Sequence, residues 1–80
     1  MSTKEQQIAA ASAAYNAAVT ERKQAQQQFN EAKSQLDAAS QNIDNPAAIE
    51  AARARLKETG SNQQKALNAE YLAENAMINL

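Results

Sequence analysis

The chain has 80 residues, 44% of them hydrophobic, with eight basic and nine acidic side chains and a net charge of −1. That length holds one domain at most, and neither charge is concentrated enough to leave a nucleic-acid footprint. Histidine, cysteine and tryptophan are absent, which removes the usual general base, the thiol nucleophile, any disulfide framework and most transition-metal ligand sets.

Alanine supplies 20 of the 35 hydrophobic residues. The bulky remainder is too small to enclose a sizeable core in so short a chain, so oligomerisation or a partner is the expected remedy. Ala, Gln, Glu, Lys and Leu are strong helix formers. With one Gly and one Pro there is little room for turns, and an all-α fold follows. No apolar run approaches the ~20 residues of a membrane span. The alanine-rich stretch from Ile8 to Val19 contains Ser12 and Asn16 and follows Lys4 and Glu5. It makes a poor signal-peptide core, so synthesis in the cytoplasm without a cleaved leader is expected. Export by another route, or assembly into a larger particle, stays open.

Ser2 or Thr3 is placed to cap the first helix, with Glu5 or Gln6 in its first turn. An alanine then recurs at every seventh position: Ala11, Ala18, Ala25, Ala32 and Ala39. The complementary heptad position carries Ile8, Tyr15, Arg22, Phe29, Leu36 and Ile43. This 3-4 repeat specifies a long helix, about residues 3–43, packed lengthwise on another helix. Small residues at one heptad position let the partner backbone come close.

Asp44-Asn45-Pro46 is the one strong break. Asn45 suits an N-cap and Pro46 suits the first helical position, while Pro46 pushes Asn45 out of the α region. The second helix is expected over about residues 46–79. Gly60-Ser61 falls in its middle. A capped break is one reading of that pair, but a lone Gly costs a helix only about 1 kcal/mol against Ala, and a continuous or slightly kinked helix is favoured.

A turn centred on residue 44 pairs residues whose numbers sum to about 88. Ile8 then faces Leu80, Ala11 faces Met77 and Tyr15 faces Ala73. Ala18 faces Glu70, Arg22 faces Ala66 and Ala25 faces Gln63. Phe29 faces Thr59, Ala32 faces Leu56, Leu36 faces Ala52 and Ala39 faces Ile49. Nearly every layer sets a large residue against a small one, as close packing requires. The expected fold is therefore a long antiparallel helical hairpin with a close-packed alanine seam, similar to the packing called an Alacoil, and oligomeric. A parallel or trimeric coiled coil of the first helix alone is the rival, which the Pro46 turn disfavours. Arg22 stands one layer from Glu70. Its stem either lies along the seam with the head in water, or the pair acts as a polar register lock.

Several bulky residues lie off the seam. Leu67, Tyr71 and Ile78 form a stripe of their own, with Leu72 beside it, and Val19 joins an alanine-rich start of the first helix. All lie in the half of the hairpin far from the turn, so that open end is the expected contact zone and the turn end is expected to be wet. Glu70 and Glu74 share a helix face, more simply a case of surface repulsion than a metal site. The only glycine, Gly60, makes no phosphate loop.

The helix–turn–helix layout, the Asp44-Asn45-Pro46-Ala47 turn, Ile49 after it and the Arg55-Leu56-Lys57-Glu58 step resemble the needle subunits of the bacterial type III secretion system. Ala76-Met77-Ile78-Asn79-Leu80 departs from the aromatic ending of that family. The resemblance implies helical polymerisation into a hollow filament, with the second helix and C-terminus in the inter-subunit packing. The small helical-hairpin cochaperones of the same system fit the shape too, as do small phage structural or inhibitor proteins. The expected function is thus a non-enzymatic structural subunit that self-assembles. The alternative is an adaptor or inhibitor that binds another protein through the same apolar face. No cofactor, small-molecule substrate or nucleic-acid partner is expected.

Overall fold

A computed structural model describes residues 3–80. Two helices account for nearly all of it: α1 over Lys4–Ser40 and α2 over Pro46–Ile78. They pack side by side into a rod 63 × 17 × 13 Å. The direction is antiparallel. Ser12 meets Met77 near one end, Arg22 meets Glu70 further along, and Phe29 lies against Gly60 beyond that.

Each helix starts on a specific cap. The Thr3 side chain accepts from the Gln6 backbone N–H at 3.2 Å, and Gln6 Oε1 accepts from the Thr3 N–H at 3.0 Å. This reciprocal box satisfies two otherwise orphaned donors at the start of α1. Ser2 lies outside the described residues. At α2, Asn45 Oδ1 accepts from the Ala48 N–H at 3.2 Å and Pro46 occupies the first turn. A proline there loses no helical hydrogen bond.

α1 ends at Ser40, three residues before the heptad pattern runs out at Ile43. The reason is the reversal. The Asn42 N–H returns to the Ala39 carbonyl at 3.1 Å, and the Asn45 N–H to the Asn42 carbonyl at 3.2 Å. Asn45 must be extended ahead of Pro46, and its φ and ψ of −126° and 75° are non-helical. Residues 41–45 are thus consumed by the turn, and Ile43 leaves the seam with 80% of its surface exposed.

α2 passes through Gly60 without interruption, and no described residue has a positive φ. The glycine serves packing rather than a break. A Cβ built on Gly60 would stand 3.3 Å from Phe29 Cε2, so the missing side chain makes room for the ring. Lys33 Nζ covers the same ring from α1, 4.6 Å from its centroid, within cation–π range.

The seam is thin and alanine-centred. Ala18, Ala25 and Ala32 are the buried hydrophobic residues, and Ala32 has no exposed surface at all. Tyr15, Phe29, Leu36, Ile49 and Leu56 are half-buried around them, as are Ala11 and Ala39. Thr59 is buried too, with its hydroxyl donating to the Arg55 and Leu56 carbonyls at 2.9 and 3.1 Å. Local back-bonding of this kind lets a threonine sit inside an apolar layer without an orphaned hydroxyl.

Candidate interaction surface

The polar layer of the seam is an ion pair. Arg22 Nε lies 2.6 Å from Glu70 Oε2, with side-chain exposures of 26% and 17%. Arg22 Nη1 also donates to Gln26 Oε1 at 3.3 Å. The guanidinium therefore neither extends straight into water nor lies idle. It bridges the two helices and braces itself on the next turn of its own. Glu70 is engaged by Arg22 and not directed at Glu74. Among the described residues, no three His, Cys, Asp or Glu side chains gather into a metal-binding group. Nor, among those residues, is any helix long and apolar enough to cross a membrane.

Among the described residues, seven large hydrophobic side chains are exposed: Ile8, Ile43, Leu67, Tyr71, Leu72, Ile78 and Leu80. Ile43 is at the turn, and the other six are at the open half. Tyr71, Leu72 and Ile78 each keep about two thirds of their surface, at 65%, 66% and 68%, and Leu67 keeps 42%. Val19 is half-buried at the edge of the seam. Scattered single leucines need no explanation, but a cluster of this size at one end does.

The two flanks of the rod differ. At about 100° per residue, a residue directly after a seam position falls to one side of it, and a residue directly before falls to the other. Reversing α2 keeps each set on one common flank of the hairpin, because its direction and its facing are inverted together. Val19, Leu67, Tyr71 and Ile78 each follow a seam residue, namely Ala18, Ala66, Glu70 and Met77. They form the bulky flank. Leu72 precedes the half-buried Ala73 and so is turned towards the opposite flank. It does not sit beside the Tyr71 stripe, because one residue along a helix is a rotation of more than a quarter turn.

The opposite flank carries a groove of about 400 Å³ along the helix–helix junction. Glu21, Gln24 and Gln28 line it from α1, and Asn62, Lys65 and Ala69 from α2, with Ala25 and Ala66 at its floor. Every rim residue named here directly precedes a seam residue. The groove exists because the floor positions are alanines, which leave the space that larger seam residues would fill. A second, wider depression is lined by α1 alone, among the polar and charged residues Lys23, Gln26, Gln27, Asn30, Glu31, Ser34 and Gln35, whose aliphatic stems contribute much of its wall.

Sequence reasoning missed Gly60 as a seam residue and missed the groove. The signal for Gly60 was its position directly after Thr59, already assigned opposite Phe29. The groove had no such signal, since it arises only when two alanine positions from different helices are set side by side. No protein-family model, curated protein or solved structure matches this chain.

Proposed function

We propose that this chain is a non-enzymatic structural subunit that assembles with copies of itself through the open half of the hairpin. The observation that carries this reading is the surface the monomer leaves bare. The accessible area is 5931 Å². A folded monomer of 8.6 kDa typically presents about 4,700 Å². The surplus of about 1,200 Å² is a direct result of the rod shape, and at one end of that rod exposed bulky residues gather. Burying an aliphatic side chain is worth about 1.5–3 kcal/mol. Leu67, Tyr71 and Ile78 together supply a modest association energy after the cost of ordering two chains. Tyr71 is the first choice for an anchor, because aromatics dominate interface hot spots. Polymerisation into a filament, as the likeness of the turn to secretion-needle subunits implies, is the form of assembly this reading favours.

Light scattering and electron microscopy of the purified protein over a range of concentrations test the proposal. Concentration-dependent growth that Leu67→Asp or Tyr71→Asp abolishes, with helical circular dichroism retained, is the expected result. A wild-type protein that stays monomeric at high concentration overturns self-assembly. The same apolar face would then belong to an adaptor that covers it with a different protein.

A further inference from the structure

We draw no further inference here: the strongest candidate, the bulky flank at the open half of the hairpin where Leu67, Tyr71 and Ile78 stand exposed, is an unpartnered apolar face, and nothing in the structure shows what covers it.

Discussion

Arg22 and Glu70 are 48 positions apart in sequence and 2.6 Å apart in space. They form the one charged layer in a seam otherwise built of alanine and a few larger apolar or uncharged side chains. Among the described residues, no buried side-chain nitrogen or oxygen lacks a partner. Removing Arg22 leaves the largely buried Glu70 carboxylate without its partner, and removing Glu70 leaves Arg22 with Gln26 alone. Arg22→Ala or Glu70→Ala should therefore destabilise the hairpin by about 1–3 kcal/mol in urea unfolding. Replacing both by leucine should recover most of that loss, since a partly buried pair is often no better than a packed apolar pair. A double variant as unstable as the worse single one would show that the pair stabilises the fold outright.

The alanine seam makes an opposite demand. Ala32 has no exposed surface, so Ala32→Leu must push the helices apart or adopt a strained rotamer. A loss of about 1–3 kcal/mol is expected, and Ala25→Leu should behave alike. Ala38→Leu, at an exposed position of the same helix, is the control and should change the midpoint little. If the seam variants melt at or above the wild-type temperature, close packing is not what holds the rod together.

Gly60 tests how tightly the ring of Phe29 is held. In a free helix, Gly→Ala gains about 1 kcal/mol. Here the new Cβ would meet Phe29 Cε2 at 3.3 Å, closer than an ordinary contact. Gly60→Ala should consequently yield much less than that gain, close to no change, and Gly60→Leu should destabilise clearly. In a Phe29→Leu background the Gly60→Ala gain should return towards its full value. A thermal-denaturation double-mutant cycle reads this coupling directly.

The turn depends on a single side-chain acceptor. Asn45 Oδ1 receives the Ala48 N–H at the start of a 33-residue helix. Asn45→Ala should lower stability by about 0.5–2 kcal/mol. For a domain of this size each kcal/mol moves the melting midpoint by about 4–8 °C. Asn45→Asp should retain most of the cap, and equal losses in the two variants would point to a role for Asn45 other than capping.

The fold was legible because two independent signals agreed. The Ala11-to-Ala39 heptads named the buried face of α1, and Pro46 fixed where the chain turns back. The turn then determines which residues of α2 stand opposite. What the pattern concealed were places where local geometry overrides periodicity. Ile43 fits the heptad, yet the reversal needs residues 41–45, and the backbone bonds among Ala39, Asn42 and Asn45 decide the matter. A continuous helix through Gly60 was the favoured reading and is what forms, but the space this glycine leaves for the Phe29 ring shows only in three dimensions. The bulky residues Leu67, Tyr71 and Ile78 were visible as off-seam positions. Their separation from Leu72 follows from the step of about 100° per residue along one helix, whereas the groove on the other flank depends on how the two helices sit together, which a single heptad count leaves out.

The five-residue turn also orders events in time. With one reversal and no other crossing, each layer of the seam can form cheaply only after the layer nearer the turn has closed the intervening loop. Layers beside residues 41–45 join short loops, whereas Ser12 reaches Met77 across 65 positions. The rod should zip from its turn and fray from its tips. Amide exchange should then be slowest around Ala32 and Leu56 and fastest near Ile8 and Ile78, in a gradient rather than a single cooperative step. Seating a second copy at the frayed half would close that gradient, so association would be felt as slowed exchange at residues distant from the turn. The end of the molecule with the least intrinsic order is thus the end with the most to gain from a neighbour.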